Sequence, residues 1–359
     1  MYAANGIEYA IVHRCMGRLL VAEILYPEGH KALDNRLIEL LAEENEIDLV
    51  DHRDFFKELS CSKLCNTVNI PQFFSNRWEP LISFLYILNY VILAFAIRKK
   101  KYDKVFLLSV RNDSLFWVYP LFRHQHLCVF HHNDIDRTLG RPFEKFLFKK
   151  LQNRIQHVVL ADFIKTGMVS QFHTHDENIS VVYQPIIGDI RTRDYTPYFE
   201  EEKYIIGLGR STDEGFLQKL IETDKRYSGR LKYKIIMRSK NIRYSSERLF
   251  ITTDIYSREE YDSIMHNASA CVALYNNYIL RYSGIINDAL SVGKPVIGNN
   301  IPIFRYFSEK YKGCCHIIDS ASDLFVLASK ELPMIKEEMI KRFLEYHSDK
   351  NVRRQLNAI

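Results

Sequence analysis

Apolar runs of strand length alternate with stretches of helical period through almost the whole of this 359-residue chain. Such a chain folds into parallel sheets with helices on both faces, because each crossover between parallel strands supplies the helix that buries one side of them. In the first half, strands are expected at Leu19 to Leu25, Ile47 to Val50, Lys104 to Val110, Leu127 to His131, His157 to Ala161 and Ile179 to Tyr183. Helical patterns fill most gaps, notably Leu33 to Glu44, Arg77 to Arg98, Pro142 to Gln152 and Ile164 to Phe172. A second series places strands at Tyr204 to Gly207, Lys232 to Met237, Leu249 to Thr252, Ala270 to Leu274, Pro295 to Ile297 and Cys315 to Ile318. Helices there are expected at Glu214 to Lys225, Arg258 to Asn267, Ile285 to Ser291 and Ala321 to Glu331, and Pro333 to Leu356 reads as one long helical pattern that allows a bend. The length exceeds the ~250 to 300 residues at which a single core stops growing. Two α/β domains in series follow: a Rossmann-like domain over 1–187, a polar linker over 188–202 ("GDIRTRDYTPYFEEE"), a second Rossmann-like domain over 203–335, and a helical end over 336–359 that can pack back on the first domain. Two such domains leave a cleft, and ligands of doubly wound sheets bind outside the carboxyl ends of the strands.

Composition narrows the function classes. With 47% hydrophobic and 26% charged residues there is little room for disorder. The net charge of +5 has no dominating lysine-arginine block, so nucleic acid is not suggested as a partner. The excess is either ordinary scatter or a weak attraction toward anionic lipid or phosphorylated ligands. Seven cysteines, an odd number with metal-ligand spacing only at the isolated Cys61 and Cys65, fit a reduced, cytosolic chain, and the N-terminus shows no export signal. Leu81 to Ile97, "LISFLYILNYVILAFAI", is just short of the ~20 residues of a spanning helix and is followed by "RKKK". It reads as a buried domain helix, as a helix on the bilayer surface with its lysines on anionic head groups, or as a span.

One short stretch carries chemistry. In "RYSGIINDALSVGKPVIGNN" a helix begins near Ser283 and Gly284, directly after the strand Ala270 to Leu274. Free N–H groups and the positive end of the helix dipole make an anion site there, and Gly284 lets a phosphate come close to the backbone. Asp288 lies one turn further on, roughly 6 Å along the axis, where a carboxylate can accept from ribose hydroxyls. The alternative is an unligated strand-helix-strand unit with Ser283 as N-cap and Asp288 in solvent. In both readings Gly293 ends the helix and Pro295 opens the next strand.

"SGIINDALSVGKPVIGNN" resembles the donor-site segment of GT-B glycosyltransferases, above all the large retaining family 4. "YIIGLGRSTDEGFLQKLIE" looks like that family's opening strand, Gly-Arg turn and helix, and "LFITTDIYSREEYDSIMHNASACVALYNN" like its later strand, helix and strand. The resemblance covers about 150 residues and implies a GT-B architecture of two Rossmann-like domains facing each other across a cleft. It also implies a nucleoside-diphosphate-sugar donor held by Gly209, Arg210, Tyr282, Ser283, Gly284 and Asp288. The chain departs from the family at two points. The first acid of the E-x7-E pair falls at Leu280, and the lysine expected shortly after Arg210 is missing from "STDEG". Arg238 or Lys240, at the carboxyl edge of the next strand, can supply that charge.

In the first half the resemblance implies a catalytic histidine at His131 or His132 of "HHNDIDR", with Asp134 and Asp136 binding acceptor hydroxyls or capping the next helix. Gly29 and Asn35, both within "YPEGHKALDNR", are implied by the resemblance to lie on an acceptor-side loop. Preorganised N–H donors and arginine can stabilise the departing nucleoside diphosphate without a metal or other cofactor, and no D-x-D element stands at the expected strand end. The expected activity is transfer of a sugar, with retention, to a glycan or lipid-linked glycan precursor of polysaccharide biosynthesis, at the inner face of the cytoplasmic membrane. An epimerase of the same architecture and a catalytically silent binding subunit are the rival readings. No Walker-type phosphate loop, G-x-S-x-G elbow or G-x-G-x-x-G after the first strand points elsewhere.

Overall fold

The computed structural model of the chain describes residues 17–26, 28–51, 54–74, 78–187, 195–199, 203–209, 212–276 and 278–359. In chain order the first half contains β1 (Arg18–Ala22), α1 (Lys31–Ala42), β2 (Glu46–Asp51), β3 (Asn66–Asn69), α2 (Glu79–Ile97), β4 (Lys104–Leu107), α3 (Asn112–Phe122), β5 (Leu127–His131), α4 (Asp134–Leu139), α5 (Pro142–Leu151), β6 (Gln156–Val159), α6 (Asp162–Phe172) and β7 (Ile179–Val181). The second half contains β8 (Tyr204–Gly207), α7 (Glu214–Arg226), β9 (Lys234–Arg238), β10 (Tyr244–Ser245), β11 (Leu249–Thr252), α8 (Arg258–Asn267), β12 (Ala270–Ala273), α9 (Gly284–Ser291), β13 (Val296–Asn299), α10 (Pro302–Lys310), β14 (Cys315–Ile318), α11 (Ala321–Ala328), α12 (Glu337–Tyr346) and α13 (Asp349–Asn357). Among the described residues these strands make two seven-stranded sheets, ordered β3-β2-β1-β4-β5-β6-β7 and β10-β11-β9-β8-β12-β13-β14. The strand pairs β1–β2, β1–β4, β2–β3, β4–β5, β6–β7, β8–β9, β8–β12, β9–β11, β12–β13 and β13–β14 are parallel, and the short edge strand β10 runs antiparallel to β11.

The chain packs as two compact units divided between Val129 and Phe130, inside β5. In the first, β1 is flanked by β2 and β4, with Leu20 opposite both Asp48 and Val105, and its apolar residues are buried. β3 was not expected, because "NTVN" has no apolar run; it sits at the sheet edge, exposed or half-exposed throughout, where polarity is tolerated. α3 was also missed, since Pro120 lies inside it. α2 is the one helix among the described residues long and apolar enough to cross a membrane by length and composition. It buries Asn89, Tyr90, Leu93, Ala94 and Ile97, and leaves Leu81, Phe84 and Phe95 exposed.

In the second unit the core is a layer of Ile205, Leu217, Leu220, Ile235, Met237, Leu249, Val272 and Phe325 between the sheet and its helices. Local chemistry starts the helices. Ser257 with Glu260, and Ser320 with Asp323, form reciprocal capping boxes on α8 and α11, and Asp213 accepts from Gly215 N at the start of α7. The terminal helical pattern breaks into α12 and α13 because the Ser348 hydroxyl accepts from Asn351 N and begins a new helix. These helices are tied to the stretch after β7: Gln355 Oε1 accepts from Tyr183 N, and His347 Nδ1 donates to the Gln184 carbonyl at 2.7 Å. Most of the polar stretch expected as a linker, 188–194 and 200–202, lies outside the described residues.

Candidate functional site

The second sheet reverses its winding between β8 and β12, and the loops that leave these strands and β9 converge at their carboxyl ends. They line an open cavity of about 500 Å³ bounded by Thr212, Asp213, Glu214, Lys240, Asn241, Asn276, Tyr278 and Arg281. The two acids are engaged: Asp213 caps α7, and Glu214 accepts from Asn241 Nδ2 at 3.0 Å. Lys240 is exposed and Arg281 half-exposed.

The wall after β12 is an ordered stack. Asn299 clamps the Tyr275 backbone, accepting from its N–H at 3.0 Å and donating to its carbonyl at 2.8 Å. Tyr275 stacks on Tyr278 at 4.2 Å between centroids and on Phe304 at 6.0 Å, and the Arg281 guanidinium lies 4.3 Å over the Tyr278 ring. The Tyr275 hydroxyl meets the Ser283 hydroxyl at 2.5 Å, so Ser283 occupies the N-cap position of α9 without capping it. Gly284 is exposed, with the buried Gln184 side chain beside its Cα. Asp288 turns toward α8, where it accepts from the Tyr261 hydroxyl at 2.9 Å; burial raises its pKa although Arg258 stands nearby. Gly293 ends α9 with φ +72°, as its position after the helix requires.

Of the other expected donor residues, Gly209 lies in the loop after β8 near Thr212 and Tyr275, and Arg238 is the last residue of β9, close to Tyr256. Tyr282 is buried, its hydroxyl donating to Asn287 Oδ1. Arg210 lies outside the described residues. Lys240, Ser283 and Gly284 therefore stand at the carboxyl edge of one sheet, while Asp288, one turn into α9, faces α8; beside them lie Arg281, Tyr278 and, from the stretch after β7, Gln184. These last three escape sequence reasoning because a loop side chain's direction has no period to read.

The expected acceptor residues separate. His131 is fully enclosed and does not reach any surface: its Nδ1 meets Asp134 Oδ2 at 2.5 Å and its Nε2 meets His157 Nδ1 at 2.8 Å. The polarity of this chain is fixed from its far end. A carbonyl only accepts, so His157 donates from Nε2 to Gln152 O at 2.7 Å; burial drives the His157 pKa down to about 3, and its Nδ1 is an acceptor. His131 then donates from Nε2, and its contact with Asp134 holds a proton between ring and carboxyl. His131 and Asp134 are thus positioning residues that brace the start of α4, with Asp134 Oδ1 also accepting from His132 N. His132 is next to them and slightly more exposed.

Asp136 is half-buried and takes the backbone amides of Ile279 and Leu280, at 3.2 and 2.5 Å. The Leu280 side chain seats on Gly167 of α6, so position 280, where the family pattern has an acid, is a packing residue held from two sides. Asn35 is also committed to the fold: it donates to Glu39 and Ser60 and accepts from Cys61 N, tying α1 to the turn at 60–63. Gly29 is exposed with open space around it. Among the described residues no group of three or more His, Cys, Asp or Glu side chains could hold a metal ion.

No family model and no curated protein matches the chain in sequence. Solved structures do match. A glycosyltransferase from Rickettsia africae superposes with a TM-score of 0.65 at 14% identity, over 95% of this chain and 97% of that one. Sucrose-phosphate synthase from Thermosynechococcus elongatus gives 0.67 at 10% identity over 95% and 98%, and Anabaena HepE in complex with UDP-glucose gives 0.68 at 11% over 95% and 98%. The fold is GT-B. Two sheets wound this way, each with its winding reversal beside its first strand, are the architecture expected from the sequence.

Proposed function

We propose that this chain is a glycosyltransferase that moves a sugar from a nucleoside-diphosphate donor to a hydroxyl of a glycan or lipid-linked glycan precursor. The observation that carries the reading is the open cavity at the carboxyl ends of β8, β9 and β12, next to the uncapped start of α9. Amides without a side-chain cap and the positive end of a helix dipole favour an anion there. The diphosphate rests against Ser283 and Gly284, Asp288 with Tyr261 faces the ribose, and His132 faces the reacting sugar. As the glycosidic bond breaks, charge grows on the departing phosphate, and donors already aimed at it lower the barrier without reorganising. Transfer with retention, in which the departing phosphate takes the acceptor proton, follows from the family-4 likeness of the α9 segment and draws on no metal.

A lipid-linked acceptor at the cytoplasmic face of a membrane is supported by two surfaces. On the first unit, α2 exposes Leu81, Phe84 and Phe95 and runs into exposed Lys99 and Lys101. On the second, α5 exposes Phe143 and Phe146 beside Lys149 and Lys150. Exposed aromatics flanked by lysines suit the boundary between acyl chains and anionic head groups. The test is calorimetric titration of the purified chain with the five common nucleoside diphosphates, followed by a transfer assay with the sugar nucleotide of whichever base binds. Binding of none of them would overturn the reading.

A further inference from the structure

The cavity is lined by two acids, Asp213 and Glu214, and by two cations, Lys240 and Arg281; Arg281 also feels the Asp136 carboxylate. Neither Lys240 nor Arg281 makes an ion pair or side-chain hydrogen bond among the described residues, although the wall around them is otherwise rich in polar contacts. Arg281 is held in place without being paired. Its guanidinium carbon lies over the Tyr278 ring, 4.3 Å from the centroid; Tyr278 stacks on Tyr275, which stacks on Phe304, while Asn299 pins the Tyr275 backbone. The two preceding residues are fixed as well, with Asp136 accepting from Ile279 N and Leu280 N and the Leu280 side chain seated on Gly167. A guanidinium held over a ring by cation–π attraction still has N–H donors to offer, and its planar fork suits two oxygens of a phosphate better than a flexible ammonium does.

We propose that Arg281 is the diphosphate clamp of this site, set by the Phe304–Tyr275–Tyr278 column, and that it makes the cavity prefer nucleoside diphosphates to monophosphates. The proposal rests on the donor-site reading above and names the charge that "STDEG" does not supply. Tyr278 is a positioning residue in this arrangement: it orients the guanidinium and need not touch the ligand. The contribution of Arg281 is a charge-assisted, two-point contact made with the terminal phosphate of the nucleotide.

The experiment is calorimetric titration of the wild-type chain, Arg281→Gln, Arg281→Lys, Tyr278→Phe and Tyr278→Leu. The probes are the nucleoside diphosphate that the wild type binds best and the matching monophosphate, with thermal unfolding checking that each variant is folded. Arg281→Gln is expected to weaken the diphosphate by about 10- to 100-fold, the size of a charge-assisted pair, and the monophosphate by less than about 3-fold. Arg281→Lys recovers part of the loss, Tyr278→Phe keeps wild-type affinity, and Tyr278→Leu falls between wild type and Arg281→Gln. If Arg281→Gln binds the diphosphate as the wild type does, the clamp is refuted while the donor site stands. An equal loss for both nucleotides also refutes it, since the contact is then not with the terminal phosphate. A wild type that binds no nucleotide removes the donor reading, and the clamp with it.

Discussion

Glu23 offers a sharp test of how the first unit is held together. It follows β1 directly and is completely buried, its Oε1 accepting from Leu25 N and Tyr26 N and its Oε2 from the Ser109 hydroxyl. Burial raises its pKa from the ordinary 4.5 to about 7, and Asp34, also buried and with neither carboxyl oxygen hydrogen-bonded among the described residues, is raised as well. A carboxyl whose folded pKa lies above its unfolded one binds more protons when folded, so its contribution is fully present at low pH and is lost as pH rises through that window. For a shift of this size the loss between pH 5 and pH 8 is on the order of 2–3 kcal/mol. Urea unfolding of the wild type and Glu23→Gln at both pH values measures it, because the amide cannot ionise. The difference in unfolding free energy between the two proteins should shift toward the variant by about that amount on going to pH 8. A difference that does not change with pH, within about 0.5 kcal/mol, would show that Glu23 is already ionised in the folded protein and that the burial argument is wrong.

Three further outcomes are expected. Gly167→Ala places a methyl 2.0 Å from Leu280 Cδ2, so it should cost about 1–3 kcal/mol by denaturant unfolding, and the same change should cost less in a Leu280→Ala background, where the clashing side chain is gone; a neutral Gly167→Ala contradicts the packing. His157 and His347 have pKa values lowered by burial to about 3 and about 4, so the unfolded chain takes up their protons first and stability falls as pH drops below 6.5. Nitrogen-15 NMR at pH 5.5 should find His157 neutral with the proton on Nε2, and an imidazolium signal for that ring refutes the hydrogen-bond polarity derived above. Co-sedimentation with anionic vesicles should fall several-fold on replacing Lys99, Lys100 and Lys101 by Gln; an unchanged bound fraction removes the lysines from the membrane reading.

Sequence legibility differed between scaffold and site for a physical reason. β12, α9 and β13 could be read almost to the residue, because buried parallel strands are continuous apolar runs and α9 is bounded by Ser283 and Gly293. β3 could not, since an edge strand need not be apolar, nor could α3, whose Pro120 interrupts the pattern on its exposed side. In the site, the position of Lys240 followed from the sheet edge alone. The roles of His131 and Asn35 did not, because only the fold shows that both side chains are already bonded to the protein itself. Arg281 follows Leu280, where the family pattern has an acid, and its meaning depends on the ring beneath it, which local sequence does not orient.

The chain has only two tryptophans, Trp78 and Trp117, and both are solvent-exposed in the first unit, at the entrance to α2 and along α3. Intrinsic fluorescence therefore watches that part of the molecule. Whatever covers these indoles, whether acyl chains or another polypeptide, should shift their emission to shorter wavelength.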